Sequence, residues 1–177
     1  MFDSIAKKYD LGNSVLSFGT HFIWRKQLLS MLPKAIDKKV VDICTGTGDL
    51  LPILSKRFSG GNSENVIGLD FSANMLSVCR EKHSEFKVIQ GDALNLPFED
   101  NSFDVASVSF GVRNYADLEI GLSEIYRILK PGASVLILEF GQPKVPVFSS
   151  FYKLYSKYIM PIIGGFITGN RDAYEYL

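Results

Sequence analysis

Net charge is the first thing this chain lacks. Lys plus Arg and Asp plus Glu both number 19 in 177 residues, a formal balance of zero. With no basic stripe interleaved with aromatics, the sequence carries no footprint of a nucleic-acid binder. Cysteine is scarce as well. Cys44 and Cys79 are the only two, too few for a disulfide framework, and read as small core residues of a protein in a reducing, cytoplasmic setting. No stretch approaches the ~18 uninterrupted apolar residues of a membrane span, and the opening MFDSIAKKYD has no apolar signal core. No metal site is expected. What remains is 46% apolar residues in one domain's worth of chain, enough for a substantial core and without the composition of disorder.

The chain is organised around residues 39–51, KVVDICTGTGDLL. Val40, Val41, Ile43 and Cys44 form a short apolar run suited to a parallel strand, and Gly46 and Gly48 flank Thr47 in a sharp turn. Leu50, Leu51, Ile53 and Leu54 then recur at spacings that suit one face of a helix. Strand, glycine turn and helix make a ligand-binding geometry, because glycine lets the backbone approach a ligand and the first helical N–H groups are unpaired. One such turn is weak evidence; two more runs strengthen it. ENVIGLD (64–70) ends in Asp70, and FKVIQGDA (86–93) ends in Gly91 and Asp92, with Ala93 beginning a loop. Three strands that each lead into a polar loop predict an open α/β sheet with its ligand across the carboxyl ends. Singly, Asp70 and Asp92 read equally well as helix caps or solvated turns.

The turn also discriminates between nucleotides. Leu51 stands where a dinucleotide fingerprint wants a third glycine, and no Lys-Ser or Lys-Thr follows as in a P-loop. Acidic strand ends repel phosphate but welcome ribose hydroxyls and an amino group. They suit an adenosyl ligand without phosphate, of which S-adenosylmethionine is the common one.

Residues 1–33 read as a helical flap, with Asp3 capping a helix over 4–10 and a second helix over 20–32 stopped by Pro33. Tyr9, Asp10, Asn13, Ser17, His21, Trp24 and Arg25 concentrate stacking and hydrogen-bonding groups there. For His21 and Trp24, ligand contact and plain packing weigh equally. A fourth strand is expected over 103–110, with Arg113 and Asn114 at its carboxyl end. A helix over 117–129 turns Leu118, Leu122, Ile125 and Leu129 to the sheet and stops at Lys130-Pro131-Gly132; a fifth strand over 133–140 brings Glu139 near the carboxyl edge. Beyond Gln142 the chain becomes aromatic and apolar but is broken by Pro161, Gly164 and Gly165. It reads either as an amphipathic cover over a greasy pocket or as a core helix. Lys153 and Lys157 are placed to meet anionic head groups beside apolar residues such as Leu154, Ile162 and Ile163.

Two stretches carry a specific resemblance. YDLGNSVLSFGTHFIW and RILKPGASVLILEFG, supported by DICTGTGDL and SFGVRN, are similar to signatures of the UbiE/MenG family of quinone-biosynthesis C-methyltransferases, over essentially the whole chain. Gly12 replaces a usual methionine, Ala133 a second glycine and Gly141 a serine. The resemblance implies a Rossmann-like class I S-adenosylmethionine-dependent methyltransferase, a mostly parallel sheet with helices on both faces. The family sheet has seven strands, and this chain stops at AYEYL, before the last two. The implied domain runs over 1–177, with 1–33 as flap, 34–141 as cofactor-binding core and 142–177 as substrate cover.

The implied reaction moves a methyl group from S-adenosylmethionine to a ring carbon of a polyprenylated quinol, in menaquinone or ubiquinone biosynthesis. Thr47, Asp70, Asp92, Ala93 and Ser109 match the family's cofactor positions, beside Gly46 and Gly48 of the turn. Arg113, Asn114 and Tyr9 would surround the ring, with His21 the candidate for proton removal. Peripheral contact with the inner face of the membrane would serve the prenyl tail, and a homodimer is left open. Two other classes share the fold: a NAD-dependent oxidoreductase and a non-catalytic lipid-binding protein.

Overall fold

The computed structural model describes residues 6, 9–141, 154, 158, 162 and 163. Two compact units divide the chain: Trp24–Glu139, and a second made of Met1–Ile23 and Phe140–Leu177. Helix α1 (Tyr9–Leu16) and helix α2 (Thr20–Ser30) come first. Then follow β1 (Val40–Ile43), α3 (Leu51–Phe58), β2 (Val66–Asp70), α4 (Ala73–Lys82), β3 (Lys87–Gln90), β4 (Phe103–Ser109), α5 (Leu118–Ile128) and β5 (Leu129–Leu138).

The sheet has five strands in the order β3-β2-β1-β4-β5, and every neighbouring pair is parallel. Its order reverses beside β1, so the crevice at the carboxyl ends of β1 and β4 is a topological switch point. Period-two alternation sends successive side chains to opposite faces. On one face Val40, Val66, Val105 and Leu136 pack with Leu28, Leu29, Leu51, Leu54, Phe58 and Cys79 from α2, α3 and α4. On the other, Val41, Ile43, Leu69, Ala106 and Val108 pack with Ile125 and Ile128 of α5. Burial on both faces is why these strands read as near-continuous apolar runs. Ser72 caps α4 by accepting the Met75 N–H at 3.1 Å, and Asp117 caps α5 by accepting that of Ile120 at 3.0 Å.

Several boundaries differ from expectation, each for a local reason. Helix α5 buries Gly121, Ile125 and Ile128 and leaves Leu118 and Leu122 exposed. It ends at Ile128 because Leu129 already pairs with Phe103 as the first residue of β5, which then shifts register before Ser134 meets Val105. Lys130-Pro131-Gly132 therefore lies within an irregular stretch of β5. Ile53 of α3 is exposed while Leu51 and Leu54 are buried, since it points away from their face. Helix α2 ends at Ser30, two residues before the expected end, its last turn tightened by a Met31 N–H bond to the Leu28 carbonyl at 3.2 Å. Helix α1 continues through Gly12 to Leu16, and the Gly19 N–H bonds back to the Ser14 carbonyl at 2.9 Å beyond Phe18, whose φ is 50°. The expected helix over 4–10 falls mostly outside the described residues, as does the cap Asp3.

In the unit made of the chain ends, Leu154, Tyr158 and Ile162 recur at intervals of four and are all exposed, and Ile163 is half-buried. Lys153, Lys157 and the rest of the expected cover lie outside the described residues. Among those described, no helix is long and apolar enough to cross a membrane.

Candidate functional site

Register brings the carboxyl ends of the strands to one level. Ile43 lies beside both Leu69 and Val108, so the next position sets Asp70 of β2, Cys44 after β1 and Ser109 of β4 in a row, with Gln90 of β3 beside Asp70 and Leu138 of β5 beside Ser109. Just there two adjacent chains break into left-handed backbone without glycine: Cys44 at φ 58° and Phe110 at φ 58°. Each such residue costs roughly 1–2 kcal/mol, and strain of this kind collects at ligand sites.

The turn after β1 divides its two glycines between two tasks. Gly48, at φ 83°, packs against α4, where an added Cβ would stand 2.3 Å from the Cys79 sulfur. Gly46, at φ 58°, has nothing within 4 Å of the same added atom, so its backbone faces open space where a ligand can approach. The Gly46 N–H donates to Asp70 Oδ2 at 2.8 Å, and the Ser72 N–H donates to Asp70 Oδ1 at 2.9 Å. Asp70 thus ties the turn to the end of β2, and a carboxylate with about four lone-pair sites can still accept ligand hydroxyls. Thr47 is buried within the turn. Asp92 sits two residues beyond β3 in a small turn closed by a bridge to Asn95. It is exposed, with Oδ1 accepting the Leu94 N–H at 2.9 Å, while Ala93 beside it is buried.

Two acids that the sequence left unremarked lie under and beside this turn. Asp42, in the middle of β1, is only 2% exposed. Thr45 Oγ1 donates to its Oδ2 at 2.7 Å and Ser107 Oγ to its Oδ1 at 2.5 Å. Burial nevertheless pushes its carboxyl up to about 6. Asp49, directly after Gly48, accepts from Lys82 at 2.5 Å and from Arg25 at 3.3 Å. Burial alone would raise its pKa, but these two cations hold it below the ordinary carboxylate range.

Beyond β4, Val112–Asn114 forms a single 3₁₀ turn. Glu139 clamps it, accepting the Arg113 backbone N–H at 3.2 Å through Oε2 and the Arg113 guanidinium at 2.5 Å through Oε1. The same guanidinium nitrogen also donates to the Phe110 carbonyl at 2.8 Å. Two polar oxygens in this region, Ser109 Oγ and Asn114 Oδ1, are buried without a hydrogen-bond partner. Tyr115 lies against Cys44, and burial pushes the thiol up to about 12 and raises the phenol too, so both are neutral and neither is a ready nucleophile.

A doubly wound sheet with an open-faced glycine turn, an acid at the next strand end and an unpartnered Ser109 hydroxyl beside them suits an adenosyl ligand. The chain's relatives decide which. The profile of the ubiE/COQ5 methyltransferase family matches residues 1–177. A demethylmenaquinone methyltransferase of Staphylococcus aureus (strain MRSA252) is 44% identical over 180 residues, a match that takes in 100% of this chain and 74% of the relative. The chain belongs to the ubiE/COQ5 methyltransferase family.

Solved structures agree on the fold. An S-adenosylmethionine-dependent methyltransferase from Methanococcus maripaludis superposes with a TM-score of 0.66 at 24% identity, covering 99% of this chain and 81% of that one. The methyltransferase bound to the Trm112 activator in Haloferax volcanii gives 0.68 at 26% identity, covering 88% and 66%. The enzyme uses S-adenosylmethionine, and its residues fit that cofactor: hydroxyl acceptors at Asp70, a backbone approach at Gly46 and an unsatisfied Ser109 hydroxyl.

Of the ubiE/COQ5 site residues expected from sequence, Gly46, Thr47, Gly48, Asp70, Asp92, Ala93, Ser109, Arg113 and Asn114 all lie at or just beyond the carboxyl ends of β1 to β4. Tyr9 and His21 belong to the other compact unit. His21 is buried, its Nδ1 hydrogen-bonded with Ser17 Oγ at 2.6 Å and its ring tilted on that of Phe22 at 3.9 Å. The Tyr9 backbone opens α1, and its ring falls outside the described residues. Asp42 and Asp49 were missed, and so was the pairing of Glu139 with Arg113. An acid inside an otherwise apolar strand was the available signal for Asp42.

Proposed function

We propose that this enzyme methylates a ring carbon of a polyprenylated naphthoquinol, the reduced form of a demethylmenaquinone. The observation that carries this reading is the 44% identity, across the whole chain, to a protein named for that substrate. When bound, S-adenosylmethionine supplies an electrophilic sulfonium methyl. The chain's own residues do the rest: Asp70 holds the ribose and Asp92 the adenine amine, Thr47, Ala93 and Ser109 line the cofactor, and the packed turn at Gly46–Gly48 fixes the angle of approach.

An aromatic carbon attacks well only when a neighbouring hydroxyl gives up its proton. In this reading Arg113, permanently charged and clamped by Glu139, stabilises the phenolate, and the unpaired Asn114 Oδ1 orients a ring hydroxyl. His21, oriented by Ser17, takes the proton, and Tyr9 packs on the ring. Residues 1–177 act as one domain in which 1–33 is the flap, 34–141 the cofactor core and 142–177 the segment that meets the prenyl tail. The exposed Leu154, Tyr158 and Ile162 support such an apolar meeting place on the inner face of the membrane.

The decisive experiment is incubation with methyl-labelled S-adenosylmethionine and, separately, a polyprenylated naphthoquinol and benzoquinol, followed by mass analysis. Label on a naphthoquinol ring carbon is expected. Transfer only to the benzoquinol would assign the enzyme to ubiquinone synthesis, and no transfer to either would leave a lipid-binding role.

A further inference from the structure

We propose that Arg25 binds the carboxylate at the amino-acid end of S-adenosylmethionine, an assignment that rests on the cofactor reading above. That end of the cofactor carries an ammonium and a carboxylate, and the surroundings of the glycine turn are rich in acids. Asp42 lies beneath it, Asp49 directly follows it and Asp70 is bonded to it. Those acids suit the ammonium and repel the carboxylate, which needs a cation of its own.

Two cations meet Asp49, on unequal terms. Lys82 takes Oδ1 at 2.5 Å, whereas Arg25 reaches Oδ2 only at 3.3 Å, longer than the ~2.7–2.9 Å of a strong charge-assisted bond. Lys82 is thus the tighter partner of Asp49. The Arg25 side chain is 12% exposed, and its Nε–H is buried with no partner. A guanidinium with one edge unsatisfied matches a carboxylate, which two parallel N–H groups can hold together.

Position agrees with chemistry. Trp24, the preceding residue, sets its ring edge-on to Phe110 just past β4, with ring centroids 6.4 Å apart. Arg25 meets Asp49 just past β1, and its charge is felt by Asp42 within β1. Trp24 and Arg25 of α2 therefore sit at the carboxyl ends of the two central strands, beside the switch-point crevice. The competing role is a structural clip that fastens α2 to the turn through Asp49.

Calorimetric titration of the full chain with S-adenosylmethionine and with decarboxylated S-adenosylmethionine, which differ only in the carboxylate, separates the two roles. Wild type should favour the carboxylate-bearing ligand by about tenfold or more, the scale of one charge-assisted contact. Arg25→Met should erase most of that preference while binding the decarboxylated ligand within about twofold of wild type. Arg25→Lys, which keeps the charge but not the fork, should retain part of it, and it serves as the test should the methionine variant fold poorly. Equal weakening of both ligands by either variant would overturn the proposal in favour of the clip. A wild type indifferent to the carboxylate would overturn it while leaving the cofactor assignment intact. Binding of neither ligand by wild type would sink both.

Discussion

Replacing Asp42 by asparagine should make the protein more stable at neutral pH and not at acid pH. Asp42 is fully enclosed, its two oxygens bonded to Thr45 and Ser107, yet its carboxyl titrates near 6 rather than 3.8 because burial disfavours the charged form. A carboxyl whose folded pKa is raised keeps its proton longer in the folded state than in the unfolded one. Stability is therefore greatest below about 4 and is lost as pH rises through about 6. The shift of about two units corresponds to about 3 kcal/mol. Asparagine resembles the protonated acid in shape and never ionises. The stability difference between variant and wild type should then grow by about 3 kcal/mol between pH 4 and pH 8, in the variant's favour, with other titrating groups cancelling. For a chain of this size that is roughly 6–12 °C in Tm. Paired urea titrations across that pH range measure the difference directly. A difference that stays constant from pH 4 to pH 8 would refute the claim that Asp42 is an ionised burden on the fold.

Other outcomes follow from the same geometry. Asp70→Ala should weaken S-adenosylmethionine by about tenfold or more in calorimetry, through loss of charge-assisted bonds worth roughly 1.5–3 kcal/mol. Arg113→Lys should lower kcat far more than cofactor affinity, since an ammonium keeps the charge but not the planar fork. A fall in Tm and cofactor binding with normal turnover by the folded fraction would instead make Arg113 a structural partner of Glu139. Glu139→Gln should act in the same direction by loosening the 3₁₀ turn, with kcat falling at least tenfold and cofactor affinity unchanged in steady-state and binding assays. Gly48→Ala should destabilise by about 2 kcal/mol or more, because its Cβ would collide with the Cys79 sulfur and its φ of 83° disfavours alanine. Cys79→Ala in the same chain should restore part of that loss in thermal denaturation.

Much of this was legible in the sequence because parallel strands buried on both faces announce themselves as apolar runs. The glycine turn, Asp70 and the 3₁₀ residues Arg113 and Asn114 were placed correctly at strand ends. What stayed hidden is pairing across long separations. Asp42 went unremarked within VVDI, where Ser107, 65 residues on, meets it from β4, and Glu139 was expected near the carboxyl edge but without its partner Arg113, 26 residues away. The end of α5 was misread for a related reason. Leu129 follows Ile125 at a helical spacing in the sequence, but Phe103 recruits it into β5.

The left-handed residues Cys44 and Phe110 bear on any attempt to engineer a hardier enzyme. Glycine at either position would remove roughly 1–2 kcal/mol of backbone strain, so both would rank high among candidate substitutions. Yet the Phe110 ring is what Trp24 rests on, and the Cys44 side chain fills the space left by Gly111, whose own Cβ would lie 2.5 Å from that of Cys44. Removing these side chains would empty those contacts and take away the ring against which Trp24 of α2 packs at the strand ends. Gains in heat tolerance at these two positions would come at the expense of the crevice itself, and a thermostability screen blind to turnover would select for inert protein.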